Sequence, residues 1–126
     1  MTDIVVKFEN ICREAGKVLD EDYSLGIAEP LFVKALNLVK ENPGFRKEFE
    51  SEFLRILDKG IGPFELVEFC MRDLRWPAIR EHAIAQLGDS DVRKAQVLQR
   101  ILNVYEPVWE DEDLYEYFHH GHQSSH

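Results

Sequence analysis

The sequence predicts an all-α protein built from six or seven short helices. Apolar residues recur at spacings of three and four along most of the chain, which is the period of an amphipathic helix. No stretch shows convincing two-residue alternation of the kind found in half-buried strands. Proline, glycine and asparagine stand between the apolar stripes, where helices begin and end. We therefore expect an irregular helical bundle or a set of stacked helix pairs.

Dense apolar stripes define the first two helices. A stripe that begins at Ile4 predicts the first helix, with Thr2 or Asp3 as its N-cap. The polar start of residues 20–29 predicts a connector, and Pro30 is expected to open the second helix. That helix carries apolar residues on much of its circumference, so we expect it to be largely buried.

Proline is expected near the first position of four helices, because the N–H that it lacks would have no intrahelical partner there. The four residues are Pro30, Pro43, Pro63 and Pro77. Gly60 is expected to stop the third helix before Gly62-Pro63 starts the fourth. Asp89 or Ser90 is expected to cap the sixth helix, and Pro107 begins a last short segment.

The tightest corner is the Trp76-Pro77 pair. The residue before a proline is pushed out of the α region, so the fourth helix must end there and the fifth must begin at once. The two helices are therefore expected to be neighbours. We predict that Trp76 is a buried packing wedge rather than a platform for a ligand.

Length and charge limit the classes of function. A chain of 126 residues is the usual size of one domain, and we predict a single helical domain over residues 1–118 with a disordered, histidine-containing tail at 119–126. The formal net charge is −9. Such a surface disfavours nucleic acid and anionic membranes, because both require a surplus of Lys and Arg. It favours a basic protein partner, or simply solubility.

The cysteines and the N-terminal sequence suggest a compartment. Cys12 and Cys70 lie far apart among apolar residues, which is typical of buried thiols in a reducing compartment, although a disulfide between them stays open. The first residues lack the pattern of a secretory signal, and no stretch reaches the roughly 18 apolar residues that span a bilayer. We expect a soluble, cytoplasmic protein.

Two stretches within residues 76–102 share a short pattern. Each has a turn residue, then Ile or Val followed by Arg, then Ala and Leu. The matching residues are Ile79-Arg80, Ala83 and Leu87 in the first copy and Val92-Arg93 in the second. The pattern resembles the second helix of HEAT repeats, and this resemblance implies stacked helix pairs. It departs from the family because Ala95 comes one residue early and the copies lie 13 residues apart, against a period of roughly 40.

Motifs for catalysis and cofactors are few. The chain has no P-loop, dinucleotide turn, HExxH or GxSxG, and its single Glu-x-x-His cannot build a di-iron site, so we expect no cofactor. A Cys70–His82 pair could act as a thiol nucleophile with its base. The tail histidines could hold a metal ion; they are His119, His120, His122 and His126. Glu68 and Arg72 read as an ordinary i,i+4 ion pair.

Two features exceed this background and supply the candidate partner-binding residues. The first is a local excess of arginine, namely Arg72, Arg75, Arg80 and Arg93. The second is the acidic segment, residues 106–118, in which acids alternate with large apolar side chains. Its candidate residues are Trp109, Glu110, Asp111, Glu112, Asp113 and Tyr115. Such segments grip basic, partly apolar surfaces. Alternatively the acidic segment folds back near the arginines and buries Trp109, Leu114 and Phe118.

The functional expectation is a non-enzymatic helical module that binds another protein. It rests on the absence of a catalytic constellation, the stacked-helix pattern and the acidic charge. A special case is an immunity or antitoxin protein that neutralises a basic toxin. The alternative from another class is an enzyme or metal-binding protein that uses Cys70, His82 or the tail histidines.

Overall fold

The computed structural model describes residues 3–59 and 63–118, and these residues form six α-helices and two 3-10 helices. The α-helices are α1 (Asp3–Asp22), α2 (Leu25–Glu41), α3 (Arg46–Lys59), α4 (Phe64–Leu74), α5 (Pro77–Leu87) and α6 (Val92–Asn103). The first 3-10 helix is Pro43–Phe45 and the second is Glu110–Leu114. No strand occurs among the described residues, so the predicted all-α class is confirmed.

Helix α4 lies at the centre of the structure. It contacts α2, α3 and α6, while α1 packs on α2 and α5 packs on α6. Its residues from Glu65 to Arg72 are all buried, including two glutamates and one arginine. A single connected apolar core runs from Phe8 in α1 to Phe118 at the end of the acidic segment. The acidic segment therefore belongs to the same core as the helices.

The predicted connector between the first two helices is wrong. Helix α1 continues to Asp22, and the Ser24 hydroxyl accepts a hydrogen bond from the Ile27 N–H at 3.3 Å, which caps α2 directly afterwards. Pro30 lies inside α2 and does not open it. Ala28 is fully buried, so the apolar stripe of α2 begins before the proline. This burial and the serine cap decide where the helix starts.

The other three prolines lie close to helix starts. Pro43 opens the first 3-10 helix, which runs into α3. Pro63 is the N-cap of α4, and Pro77 is at the first turn of α5. Their positions agree with the rule that proline suits the first turn of a helix, where its missing N–H has no partner to lose.

The start of α6 was predicted one or two residues early. Asp91 is the N-cap, and its carboxylate accepts a hydrogen bond from the Lys94 N–H at 2.8 Å. Ser90 instead donates to the Gln86 carbonyl at 2.6 Å and closes the end of α5. Val92, the first residue of α6, is 76% exposed and lies outside the buried face of the helix.

The corner at Trp76 is structural, as predicted. Arg75 adopts a left-handed conformation with φ 51°, which ends α4, and its N–H donates to the Met71 carbonyl at 2.8 Å. The Trp76 ring is buried and meets Phe53 edge to face, with 5.8 Å between ring centres. The Arg46 guanidinium covers the ring at 4.6 Å. The break therefore places an aromatic wedge between α3 and α5.

None of the described helices combines the length and the apolar content that crossing a bilayer requires. The predicted tail at 119–126, with its four histidines, lies outside the described residues, as do the predicted helix stop Gly60 and the adjoining Gly62.

Candidate interaction site

The acidic segment is docked on the helices through three aromatic rings. Trp109, Tyr115 and Phe118 are all buried. The centre of the Phe69 ring lies 5.1 Å from that of Tyr115 and 5.0 Å from that of Phe118, and Trp109 stacks on Tyr115 at 5.9 Å. Phe32 completes the group at 6.1 Å from Tyr115. Buried aromatic rings dominate the energetics of such contacts, so they hold the segment in place.

Arg72 fixes the turn that leads from α6 into the acidic segment. Its guanidinium donates hydrogen bonds to three backbone carbonyls at 2.6 to 3.1 Å. These carbonyls belong to Val104, Glu106 and Pro107. It also pairs with the Glu112 carboxylate at 2.5 Å. The predicted i,i+4 pair of Glu68 with Arg72 is therefore wrong, because the planar guanidinium matches several acceptors on the segment at once.

The far end of the acidic segment is held by polar contacts to α2 and α4. The Glu29 carboxylate accepts hydrogen bonds from the Glu116 and Tyr117 backbone N–H groups, at 3.2 and 2.8 Å. The Tyr117 hydroxyl donates to Asp73 at 2.8 Å, and Lys40 pairs with the same aspartate at 2.8 Å. Both ends of the segment are thus fixed, and its middle spans the space between them.

The outward face of the acidic segment is both apolar and acidic. Val108, before the second 3-10 helix, is 80% exposed, and Leu114, the last residue of that helix, is 57% exposed. Glu106, Glu110 and Asp113 are exposed beside them. The prediction that Leu114 would be buried is wrong, since Tyr115 takes the inward position and the extended backbone there points neighbouring side chains apart.

A cleft of about 310 Å³ lies where α4, α6 and the acidic segment meet. Its lining residues are Glu68, Arg100, Asn103, Glu106, Val108, Trp109, Glu110 and Asp111. Four of these side chains carry a carboxyl group, and Arg100 is the single base among them. The cleft therefore suits a cationic or partly apolar group better than an anion.

Glu68 at the floor of the cleft is 1% exposed. Both of its oxygens accept hydrogen bonds from Arg100, each at 3.3 Å. Glu65, one turn earlier, is also buried and accepts a hydrogen bond from the Tyr23 hydroxyl at 2.8 Å. Burial raises the pKa of Glu68 to about 8, and the carboxylates of Glu65 and Asp111 add to the rise while Arg100 opposes it.

The structure separates the predicted site residues into inner and outer groups. Arg72, Trp109 and Tyr115 are buried and hold the acidic segment in place. Glu112 pairs with Arg72, and Asp111 lies 3.6 Å from Arg100, which the sequence did not single out. Glu110 and Asp113 are exposed on the segment.

The remaining predicted arginines lie elsewhere. Arg75 ends α4, and its side chain donates to the Arg72 carbonyl at 3.4 Å. Arg80 lies near Tyr105, whose hydroxyl donates to the Trp76 carbonyl at 2.8 Å; burial raises the pKa of Tyr105 and the charge of Arg80 opposes the rise. Arg93 is exposed at the start of α6. The excess of arginine in the sequence is thus not one surface patch.

Sequence reasoning missed Arg100 and the Glu65–Glu68 pair. A signal for the glutamates exists, because Glu65 and Glu68 lie three residues apart in the first part of α4, where their neighbours are apolar. Two acids on a central helix must be buried, and buried acids require partners. Arg100 gave no comparable signal, since its partners are 32 residues earlier on α4 and in the acidic segment.

Cys70 and His82, the two residues of the enzymatic alternative, lie in different surroundings. Cys70 is fully buried, which raises the pKa of its thiol well above the usual range. His82 Nε2 lies 2.9 Å from the Asp58 carboxylate. Both cysteines are free thiols in this structure. Among residues 3–59 and 63–118, no group of three or more His, Cys, Asp or Glu side chains could hold a metal ion.

No family model, no curated protein and no solved structure matches this chain. Its class is therefore defined by its own architecture. It is an all-α protein with one apolar core, in which a docked acidic segment borders an acidic cleft.

Proposed function

We propose that this protein is a non-enzymatic interaction module that binds a basic, partly apolar surface of another protein. The observation that carries the proposal is the outward face of the acidic segment. There, Val108 and Leu114 are exposed beside the carboxylates of Glu106, Glu110 and Asp113. Exposed large apolar side chains framed by charge are typical of binding surfaces.

The charge of the chain supports the choice of a basic partner. A net charge of −9 attracts a cationic protein over a distance set by the salt concentration and so raises the rate of encounter. Charge by itself gives little affinity, because exposed ion pairs contribute about 0 to 1 kcal/mol each. The exposed pair of Val108 and Leu114 supplies apolar area for the stable complex.

The rigidity of the acidic segment also supports a binding role. Its buried rings and the contacts of Arg72 and Glu29 hold the backbone at several points. A partner would therefore meet a preformed surface and would not have to order a loose chain, which lowers the entropic cost of binding.

Neutralisation of a basic toxin by an immunity or antitoxin protein is one instance of this proposal. Stacked helix pairs, as the HEAT-like pattern implies, would be a suitable frame for it and stay a prediction. The enzymatic alternative gains nothing from Cys70 and His82, because the thiol is buried and the imidazole pairs with Asp58.

The proposal is tested by comparing what wild-type protein and two triple variants retain from native lysate at low salt. The segment variant is Glu106→Gln, Glu110→Gln and Asp113→Asn. The matched control removes three exposed acids elsewhere, Glu14→Gln, Glu81→Gln and Asp89→Asn. A specific partner should be basic, should stay on the control, and should be lost from the segment variant.

Any partner recovered in this way is then titrated against purified wild type and against Val108→Ala with Leu114→Ala. Loss of the exposed apolar pair should weaken binding by about tenfold, since truncating contributing interface residues costs on the order of 1 kcal/mol or more. A partner that binds all variants equally would show that the acidic segment is not the interaction surface.

A further inference from the structure

One guanidinium nitrogen joins α4 to the acidic segment. Arg100 Nη2 lies 3.3 Å from Glu68 Oε1 and 3.6 Å from Asp111 Oδ2. The same guanidinium covers the Phe64 ring at 4.8 Å, which orients its plane. A single cation from α6 therefore serves two carboxyl groups that belong to different elements.

The carboxyl groups of Glu68 and Asp111 differ in how far water could replace Arg100 as their partner. The side chain of Asp111 is 44% exposed and can be solvated by water, whereas that of Glu68 is 2% exposed. For Glu68, Arg100 is the cation within reach. Its two hydrogen bonds of 3.3 Å are longer than the 2.7 to 2.9 Å typical of strong charge-assisted bonds. The pair thus has room to tighten.

The groups that face Glu68 come from every side of the cleft. Glu65 lies on the same helix and Arg100 on α6, while Asp111 and the Tyr115 ring come from the acidic segment. Tyr23, at the end of α1, approaches through its bond to Glu65. Burial disfavours the charged form of Glu68 and, together with Glu65 and Asp111, outweighs the charge of Arg100, so the pKa of Glu68 is raised to about 8.

We propose that Arg100 is a proton-controlled latch on the acidic segment. While Glu68 carries its proton, Arg100 is shared and holds Asp111. When Glu68 loses the proton, Arg100 is drawn onto the buried carboxylate and releases Asp111. The new negative charge also repels Asp111, so both effects loosen the second 3-10 helix and widen the cleft.

The movement is local, because the aromatic anchors and Arg72 do not depend on Glu68. The Trp109 ring, which lines the cleft and is 7% exposed, is the natural reporter. The coupling is also reciprocal, as linkage requires. Neutralising Asp111 should make Glu68 give up its proton at a lower pH.

The latch is tested in the full chain without any partner, so the outcome does not depend on the proposed function. Trp76→Phe leaves Trp109 as the single indole. In that background, acrylamide quenching of Trp109 should rise about two- to fivefold as the pH is raised from about 6 to about 9, since a partly exposed ion pair shifts an opening equilibrium by no more than that. Carbon-13 NMR of the Glu68 carboxyl should show the same midpoint.

Three variants complete the test. Glu68→Gln should give quenching that does not change with pH, and Asp111→Asn should lower the midpoint that NMR reports for Glu68. Glu81→Gln, which removes an exposed acid of α5 that does not line the cleft, should keep the pH-dependent rise. The latch is wrong if Glu68→Gln keeps the rise, if Glu68 is already ionised at pH 6, or if Glu68 titrates while the quenching stays constant.

Discussion

At the scale of single residues, Arg72 does the most to fix the acidic segment. A buried guanidinium bonded to three carbonyls and a carboxylate replaces contacts that those groups would otherwise make with water. The Coulomb attraction is only part of this role, since removing one partner leaves the others buried and unsatisfied. The sequence predicted Arg72 as a partner-binding residue, whereas in the structure its buried side chain stabilises the docked segment.

We predict that Arg72→Ala lowers the free energy of unfolding by about 3 to 5 kcal/mol, because it removes a buried donor that bonds three backbone carbonyls and pairs with Glu112. Arg72→Lys should recover only part of the loss, since an ammonium group cannot reproduce the planar fork. Urea unfolding followed by circular dichroism measures both values. Arg93→Ala, at an exposed position, is the control and should change stability by less than about 0.5 kcal/mol. Equal effects of the two alanine variants would contradict the bracing role.

Glu68 gives the stability of the protein a pH dependence of defined sign. Its pKa is raised in the folded state, to about 8, from an ordinary value of 4.5. The folded chain therefore holds a proton that the unfolded chain has lost, and the resulting stabilisation is complete below pH 4.5 and is lost as the pH rises towards 8.

We predict that wild type loses stability relative to Glu68→Gln by about 1.4 kcal/mol per pH unit across this interval, which is the value for one proton. Chemical denaturation of both proteins at several pH values between 5 and 9 measures the difference, and subtraction removes the titration of groups common to both. A difference that does not change with pH would show that Glu68 is already ionised in the folded protein.

At the scale of elements, the acidic segment behaves as the last layer of the core. It has no long helix of its own, and a 3-10 helix of this length has no independent stability. Burial of Trp109, Tyr115 and Phe118 supplies the apolar contacts that hold it. The ion pairs of Glu112 with Arg72 and of Asp111 with Arg100 orient its acids, while the bonds of Arg72 to the backbone carbonyls fix the turn before it.

We predict that cutting the chain after Tyr105 lowers the melting temperature markedly, because it exposes Phe32 and Phe69 and removes the Glu106 and Pro107 carbonyls that Arg72 bonds. In contrast, 0.5 M salt should leave the segment docked in the intact chain, since salt screens the ion pairs but not the apolar contacts. Thermal unfolding measures the first effect and the Trp109 emission maximum the second. An unchanged melting temperature would show that the segment does not stabilise the core, and a solvated indole in salt would show that charge holds the segment.

At the scale of the whole molecule, one apolar core connects all six α-helices. The two cysteine thiols are buried at different depths in this core. Cys70 has no exposure, while Cys12 is 5% exposed at the floor of a groove of about 410 Å³ between α1 and α3. Burial, followed by the charges of Glu52 and Glu9, raises the pKa of Cys12 to about 12.

We predict that dithionitrobenzoate modifies Cys12 faster than Cys70 under native conditions. Cys12 needs only a local opening of the groove, whereas Cys70 reacts through unfolding of the central helix and should follow global stability in mild urea. The single-thiol variants Cys12→Ala and Cys70→Ala separate the two rates. Rapid modification of Cys70 that is independent of urea would contradict the buried position and would restore the case for a thiol activity.

Local signals explain which parts of the fold could be predicted. The corner at Trp76-Pro77 could be predicted from the pair alone, because proline restricts the backbone on both sides of it. The corner is confirmed. The prediction that Pro30 opens α2 is wrong, because the Ser24 cap and the burial of Ala28 outweigh the preference of proline for a helix start. The N-cap of α6 was predicted at Asp89 or Ser90 and lies at Asp91. Several polar residues in this turn could cap the helix, and only the backbone geometry selects one of them.

The acidic segment shows the same limit at the candidate site. Its composition predicted contact with arginine and burial of aromatic rings, and the contact with Arg72 and the burial of Trp109 and Phe118 are confirmed. The burial of Tyr115 instead of Leu114 depends on the direction of the backbone after the second 3-10 helix. No periodic pattern records that direction, because the segment is too short to have a period.

Helical periodicity and charge are local properties, and they were enough to predict the all-α class, most helix positions, the burial of both cysteines and the acidic balance of the chain. The bonds of Arg72 to a backbone turn, and the contacts of Arg100 with Glu68 and Asp111, could be found only in the folded structure. These side chains are 32 residues or more from most of their partners along the chain. Which cation meets which carboxylate depends on how the helices pack, and packing is set by the shape of the whole core.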